Sequence, residues 1–253
     1  MNRELSSVRC FWDRDRSEED AQGDQKVHLW HYRLDLDAER EAALARVLDD
    51  AESDRVSRYR FGKHRRRFVA GRGALRMILA QYAGCEPEAL RFEHGVHGKP
   101  YIGWPNSACD IRFSASNSHG LGAVAVTWRN ELGLDLEQVR PNCDHDLIAS
   151  REFSPEESDW LCRLPEAKRL VAFYQLWTCK EAYLKGKGVG LTVPLNDFAI
   201  SLSQETPRLV WSNINDSDPE RWSLQPLSIE PGFVACLAME GGCRAVQSER
   251  WFP

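Results

Sequence analysis

Apolar residues along this chain fall into two long helical patterns separated by strand patterns. One helix is predicted from about Lys63 to Tyr82 and another from Leu170 to Lys185, because apolar side chains recur there every three or four positions. Strands are predicted at residues 27–34, 121–128, 132–137, 193–202 and 233–239. Each half therefore runs strand, long helix, strands. This pattern predicts an α+β fold of two similar lobes related by a pseudo-twofold, each a small sheet packed on a long helix.

The same pattern divides the chain into three parts. Residues 1–25 are polar and charged, so they are predicted to be poorly ordered. Residues 26–128 then form an N-terminal lobe and residues 129–253 a C-terminal lobe. Clefts between lobes commonly bind ligands, so a site is expected at this junction.

Composition narrows the class of protein. The chain has 253 residues, of which 42% are hydrophobic and 28% charged, as in ordinary globular proteins. No apolar run reaches membrane-spanning length, and the N-terminus lacks the apolar core of a signal peptide. The eight cysteines are scattered without a C-x-x-C pair, so neither a zinc ribbon nor a disulfide framework is indicated. A cytoplasmic protein that does not associate with membranes is expected.

Charge is unevenly distributed in this acidic chain of net charge −5. No Asp or Glu occurs from Arg55 to Cys85, a stretch that holds nine arginines and lysines. Such a concentration predicts an anionic partner, either phosphates, nucleic acid or an acidic protein surface. The alternative is a solvated helix face.

The helix near residue 180 carries an acid in an unexpected place. Glu181 lies on the apolar stripe four residues after Trp177, and Lys185 follows one turn later on the same surface. A carboxylate that faces a core is costly unless it is paired or bound to a cation. The pattern therefore indicates a site, although an ordinary Glu–Lys surface pair gives the same spacing.

The strand at residues 132–137 offers two further carboxylates. Its alternation puts three leucines on one face and Gly133, Asp135 and Glu137 on the other. The two acids are expected roughly 7 Å apart at Cα, with open space beside Gly133. Together with Glu181 they would suit Mg²⁺, which prefers oxygen ligands and shares them with phosphates. A solvated strand face is the alternative.

Five segments in order resemble the Sfp-type phosphopantetheinyl transferases, in the subgroup with Lys-Glu-Ala. They are Phe61–Arg72, Gly98-Lys99-Pro100, Phe113–Ser118, Gly133–Glu137 and Trp177–Lys185. The resemblance implies transfer of the phosphopantetheine arm of coenzyme A to a serine of an apo acyl or peptidyl carrier protein, with adenosine 3',5'-bisphosphate as the second product. It also implies a monomer whose single chain holds both half-sites.

The resemblance further implies a role for each matching residue. Asp135, Glu137 and Glu181 would hold Mg²⁺ with the coenzyme A diphosphate, which Lys180 and Lys185 would face. The residues implied to bind the ribose phosphate are Lys63, Lys99 and, through the backbone, Ser114, Ser116 and Asn117. Asn117 departs from the histidine usual in the family, and an amide is a neutral donor and acceptor.

Phosphoryl-type transfer requires mainly positioning and charge neutralisation. Lys185 is therefore predicted to stabilise or protonate the leaving phosphate. The carrier serine needs a base, for which Glu181, a metal-bound water and Glu157 are the alternatives. Ser154 and Glu157 also form a predicted capping box, which explains Glu157 without catalysis. Two alternatives to transferase activity are a nucleic-acid-binding protein using residues 55–76 and a Mg²⁺-dependent phosphohydrolase.

Overall fold

A computed structural model describes residues 26–105, 110–203, 206–243 and 245–253. The predicted N-terminal segment 1–25 lies outside these ranges. The helices are α1 (Ala38–Ala45), α2 (Asp50–Ser57), α3 (Gly62–Ala83), α4 (His145–Glu152), α5 (Pro155–Arg163), α6 (Glu166–Lys187) and α7 (Asp218–Arg221). The strands are β1 (Lys26–Arg33), β2 (Arg91–His94), β3 (Pro100–Trp104), β4 (Ile111–Ser118), β5 (Leu121–Trp128), β6 (Leu132–Gln138), β7 (Phe198–Ser201), β8 (Arg208–Ser212), β9 (Trp222–Leu227), β10 (Phe233–Glu240) and β11 (Ala245–Arg250).

The first sheet has the strand order β11-β1-β5-β4. Strand β1 pairs antiparallel with β5, and its other edge pairs in parallel with β11. Helix α3 packs on this sheet, and their buried side chains form one core. The helix ends as predicted at Gly84, whose φ of 64° is left-handed and favours glycine.

The second sheet has the order β6-β10-β9 and is covered by α6. A two-stranded β7-β8 ribbon extends this part of the molecule, and a β2-β3 hairpin lies beside the first sheet. A third core lies between the two sheets, where the leucines of β6 meet β1, β5 and β10. Sheets and helices are thus combined in an α+β fold, as predicted.

The C-terminal strand does not stay with the second sheet. Strand β11 lies beside β1, so residues 245–250 belong by pairing to the sheet built from residues 26–128. The division into lobes at residue 128 and the pseudo-twofold between them stay predictions. Among the described residues, no helix combines the length and apolarity that crossing a membrane requires.

The basic helix α3 is less exposed than its sequence suggests. Arg76 of this helix is fully buried, where it donates to Glu52 at 2.6 Å and also pairs with Asp49. Arg72 pairs with Glu52 as well, and Arg67 donates to Asp35 at 2.6 Å. Residues 55–85 contain no acid, and the carboxylates that pair with these arginines come from other segments of the chain. Part of the predicted anion-binding surface is therefore internal structure.

Candidate active site

Helix α6 and strand β6 approach each other closely enough to bring the two predicted carboxylate motifs together. A Cβ on Gly133 would lie 2.0 Å from the backbone oxygen of Ala182 and 2.3 Å from the backbone nitrogen of Gly186. The expected open space beside Gly133 is therefore wrong, because the helix backbone fills it. Glycine is required here for this contact, which sets Glu181 and Lys185 opposite the polar face of β6.

Asp135 is the buried centre of the site. The residue is only 3% exposed, and Lys185 Nζ donates to its Oδ1 at 2.5 Å. Ser116 Oγ donates to the same oxygen at 3.0 Å. The other oxygen, Oδ2, is buried without a hydrogen-bond partner. Since an unsatisfied buried carboxylate oxygen is costly, this atom is a ready ligand for a cation.

Glu137 and Glu181 lie near enough to Asp135 for its negative charge to act on both of them. Burial raises the pKa of Glu137, and the charge of Asp135 adds to this effect, whereas the Ser118 hydrogen bond and Lys185 oppose it. Burial also raises the pKa of Glu181, with further contributions from Asp135 and Glu137 against Lys185. The neighbouring negative charges add to the raised pKa values of Glu137 and Glu181, and a divalent cation would relieve this electrostatic repulsion.

The residues present therefore fit a hard divalent cation. Carboxylate oxygens are the ligands that Mg²⁺ prefers, and one buried oxygen is free to accept it. In the part of the chain that the structure describes, no group of three or more candidate side chains already stands in metal-binding geometry. The three carboxylates are electrostatic neighbours whose side chains would have to converge further to share one ion.

A cleft of about 470 Å³ opens beside Lys185. Arg55 and Arg72 of α2 and α3 line it, as do the turn at Gly98-Lys99-Pro100 and the β4 residue Asn117. Its wall also includes Gly188, where α6 ends. The cleft thus brings the basic helix and the Gly-Lys-Pro turn next to Lys185, the partner of Asp135, although Arg72 and Lys185 are more than a hundred positions apart in the sequence.

Lys180 lies elsewhere, so its predicted contact with the diphosphate is wrong in this structure. Its side chain is fully buried and its Nζ lies 2.8 Å from Glu157 Oε2. The same ammonium group donates to the backbone oxygens of Leu195 at 2.9 Å and Phe198 at 2.7 Å. Burial lowers the pKa of Lys180, against which the Glu157 carboxylate acts. All three ammonium protons are used, so Lys180 is a structural residue.

The other two predicted lysines differ in availability. Lys99 lines the cleft, but its Nζ donates to Glu131 at 2.5 Å, Leu132 O at 3.1 Å and Gly186 O at 2.7 Å. Burial lowers its pKa, and Glu131 opposes that effect. Lys63 is exposed in the first turn of α3 and is not among the residues that line the cleft. Any phosphate contact from Lys99 requires a change of partner.

The serine hydroxyls of β4 bond to β6, and of these serines Ser114 also lines the cleft. Ser114 and Ser116 accept hydrogen bonds from the N–H groups of Leu134 and Leu136 at 2.9 Å and 3.2 Å. Ser118 Oγ donates to Glu137 Oε2 at 2.7 Å, a contact that was not predicted. The matching alternation of Ser-x-Ser-x-Ser and Gly-x-Asp-x-Glu was the signal available in the sequence. Asn117 points the other way and is exposed in the cleft.

A second, larger cavity of about 630 Å³ lies against the C-terminal half of the molecule. Its described lining comes from α6, from the turn between β9 and β10, and from neighbouring prolines, and it includes none of the predicted site residues. The smaller cleft is therefore the better candidate for the active site, because it has the cationic groups and lies next to the carboxylates.

Comparisons with known proteins bear on both parts of the chain. A family model described as the 4'-phosphopantetheinyl transferase superfamily matches residues 131–238, and one described as 4'-phosphopantetheinyl transferase, N-terminal, matches residues 37–128. A solved structure, the Thermotoga maritima holo-acyl-carrier-protein synthase, covers 44% of this chain and 62% of its own at 19% identity and a TM-score of 0.37. That similarity is too low to bear on the fold.

Two curated relatives match over most of their length. The 4'-phosphopantetheinyl transferase HetI of Nostoc sp. is 37% identical over 216 residues, which cover 85% of this chain and 88% of HetI. The 4'-phosphopantetheinyl transferase Sfp of Bacillus subtilis is 26% identical over 215 residues, covering 84% of this chain and 92% of Sfp. The chain therefore belongs to the 4'-phosphopantetheinyl transferase superfamily and is a phosphopantetheinyl transferase.

Proposed function

We propose that this enzyme uses Mg²⁺ to transfer the phosphopantetheine arm of coenzyme A to a serine of an apo acyl or peptidyl carrier protein, releasing adenosine 3',5'-bisphosphate. The observation that carries the proposal is the unpartnered, buried oxygen of Asp135, flanked by two carboxylates and next to a cationic cleft. A diphosphate needs neutralised charge on both sides of the bond that breaks, and this arrangement supplies positive groups and cation ligands together.

Substrate binding is assigned to the cleft. Arg55 offers positive charge to phosphates, and Asn117 offers a neutral donor. Arg72 also lines the cleft but would contribute its charge only on releasing Glu52. The backbone of residues 114–117 and the exposed Lys63 are proposed to contribute to the ribose phosphate. Lys99 would join them on releasing Glu131, because its three protons otherwise stay engaged within the protein.

Asp135, Glu137 and Glu181 are the residues proposed to hold the cation. When bound, Mg²⁺ would neutralise charge on the diphosphate oxygens. Lys185 is proposed to turn from Asp135 toward the leaving phosphate and to stabilise or protonate it. Its side chain is one-third exposed and lines the cleft, so the ammonium group reaches solvent as well as the carboxylate.

Glu181 is the proposed base for the carrier serine. Its half-buried carboxylate belongs to the same electrostatic cluster as Asp135, and a raised pKa improves its basicity toward a hydroxyl proton. Glu157 is a poorer candidate. It completes the capping box with Ser154, accepts from Ile200 N at 2.7 Å and pairs with Lys180 while only 3% exposed. Its oxygens are committed to the fold.

The remaining expectations concern partners. An acidic carrier surface would be steered by part of the Arg55–Arg76 surface or by basic residues near Lys187, and association should weaken as salt rises. A cytoplasmic location, a monomeric state and the absence of nucleic-acid and membrane partners also remain proposals. Nucleic-acid binding is not favoured, because several arginines of residues 55–76 are neutralised internally and the three carboxylates would have no role.

The experiment is to incubate the protein with coenzyme A, Mg²⁺ and an apo carrier protein. A carrier mass increase of one phosphopantetheine arm, with adenosine 3',5'-bisphosphate in solution, supports the proposal. Chelation of the metal should stop the reaction, and substitution of the carrier serine by alanine is the matched control. Hydrolysis of coenzyme A without modification of the carrier would support the phosphohydrolase alternative instead.

A further inference from the structure

Strands β4 and β6 are edge strands of two different sheets and lie side by side without a backbone ladder between them. Serine hydroxyls on β4 take the place of that ladder by accepting backbone N–H groups of β6. The pairs are Ser114 with Leu134 at 2.9 Å, Ser116 with Leu136 at 3.2 Å, and Ser118 with Gln138 at 3.1 Å. We call this row of three serines the serine seam. It joins the two sheets at the edge that carries the carboxylates.

Two of the three hydroxyls have a second bond. Ser116 donates to Asp135 Oδ1 at 3.0 Å, and Ser118 donates to Glu137 Oε2 at 2.7 Å. Each hydroxyl has one proton, and because the backbone N–H already uses an acceptor position, that proton is directed at the carboxylate. Ser114 is level with Gly133, which has no side chain to receive a proton.

The seam therefore determines which carboxylate oxygens remain available. In Asp135, Oδ1 is occupied by Ser116 and Lys185, while Oδ2 is buried and free. In Glu137, the bond from Ser118 holds one oxygen, so the carboxylate cannot rotate without losing it. Ser118 is itself only 5% exposed, with His119 Nδ1 at 3.4 Å as its other side-chain neighbour. A buried donor with so few alternatives orients its acceptor firmly.

We propose that Ser118 is a positioning residue that orients Glu137 as a cation ligand, and that it sets the divalent-cation affinity of the enzyme without touching the substrate. The proposal deepens the function proposed above and rests on it for the metal site. Ser116 acts in the same way on Asp135, but it also contacts Lys185 at 3.2 Å, so Ser118 is the cleaner test.

The experiment measures Mn²⁺ binding by electron paramagnetic resonance of the free ion, with coenzyme A present and carrier protein absent, against a blank of coenzyme A alone. Ser118→Ala should weaken Mn²⁺ binding by about 10-fold or more, the range seen when groups that orient metal ligands are removed. Thr127→Val loses a buried hydroxyl hydrogen bond of the same sheet, to the backbone oxygen of Lys26 at 2.8 Å, and should lower the Tm yet leave Mn²⁺ affinity unchanged. Ser118→Thr retains the hydroxyl and should restore binding.

Equal Mn²⁺ affinity in Ser118→Ala and Thr127→Val would overturn the proposal, because Ser118 would then contribute only to the stability of the fold. Should Ser118→Ala fail to fold, Ser118→Cys replaces the hydroxyl by a weak donor of similar size. Weakened binding by that variant supports the proposal, and unchanged binding overturns it. If the unaltered protein binds no more Mn²⁺ than the blank, or Asp135→Asn binds as well as it does, the metal site itself fails, which distinguishes the two proposals.

Discussion

Two lysines of helix α6 form ion pairs with carboxylates on other elements, and the two pairs have opposite properties. Lys180 and Glu157 form a buried pair in which all three ammonium protons meet oxygen atoms. Lys185 and Asp135 form a pair that leaves one carboxylate oxygen buried and unpartnered. The two lysines are five positions apart in the sequence, so their side chains point about 140° apart around the helix. The satisfied pair holds the C-terminal half of the fold together, and the unsatisfied pair is where chemistry is proposed.

The difference shows that a buried ion pair is not in itself a sign of function. A satisfied buried pair favours one specific arrangement of the elements that carry it. Removing one of its partners leaves a costly unpaired charge inside the protein. An unsatisfied pair retains unfavourable free energy that a ligand can relieve. The neighbours decide between the two outcomes. Lys180 donates to the backbone oxygens of residues 195 and 198, whereas Lys185 donates to the Asp135 carboxylate and to Ser116.

The largest effect is expected from breaking the satisfied pair. Lys180→Met leaves the buried Glu157 charge without its partner and should lower the free energy of unfolding by about 3–5 kcal/mol. Urea denaturation measures this change. The double variant Lys180→Met/Glu157→Met removes both charges and should regain a large part of the loss. A Lys180→Met protein of unchanged stability would contradict the structural role.

Lys185→Met tests the unsatisfied pair. It should lower kcat by about 10²–10³-fold, as loss of one group that stabilises transition-state charge does. It should cost less free energy of unfolding than Lys180→Met, because the Lys185 side chain is one-third exposed whereas that of Lys180 is fully buried. Steady-state kinetics at saturating coenzyme A and urea denaturation of the same preparation separate the two effects. The comparison between the pairs fails if Lys185→Met loses stability as Lys180→Met does.

Glu181→Gln should abolish turnover yet stabilise the metal-free protein at pH 7. Because burial and Asp135 raise the pKa of Glu181 above 4.5, the folded state binds its proton more tightly than the unfolded state, so stability falls as pH rises from 4.5 through the raised value. Each kcal/mol relieved should raise Tm by about 2–4 °C. Thermal unfolding with a chelator should show this gain at pH 7 and its disappearance near pH 4. Glu166→Gln, an exposed acid on the same helix, is the control and should show neither effect.

The smallest effect is expected from a change at Asn117, the neutral donor in the cleft. Asn117→His should tighten coenzyme A binding several-fold, equivalent to about 1 kcal/mol, because a charged imidazole donates a stronger hydrogen bond than an amide. The gain should be larger at acidic pH. The Asn117 amide lies beside Gly71 and Gly122, whose missing Cβ atoms leave it room. Calorimetry at two pH values measures the change, and weaker binding would indicate a pocket fitted to asparagine.

Much of this protein could be predicted from its sequence because the signals are local. The end of α3 at Gly84, the capping box of Ser154 and Glu157, and the alternation of leucines with Asp135 and Glu137 all depend on residues within one element. The order of five motifs predicted the family correctly. These features follow from backbone conformation and side-chain period, which a short window of sequence contains.

Tertiary structure decided which polar residues are satisfied by the protein itself. Arg76 meets Glu52 from a neighbouring helix, Lys180 meets Glu157 and distant carbonyls, and Lys99 meets Glu131. Each partner comes from a segment distant in sequence from its lysine or arginine, so the local sequence does not show that the charge is neutralised. Gly133 was expected to leave space and instead admits a helix. Burial and pairing are properties of distant segments brought together, and only the folded arrangement determines them.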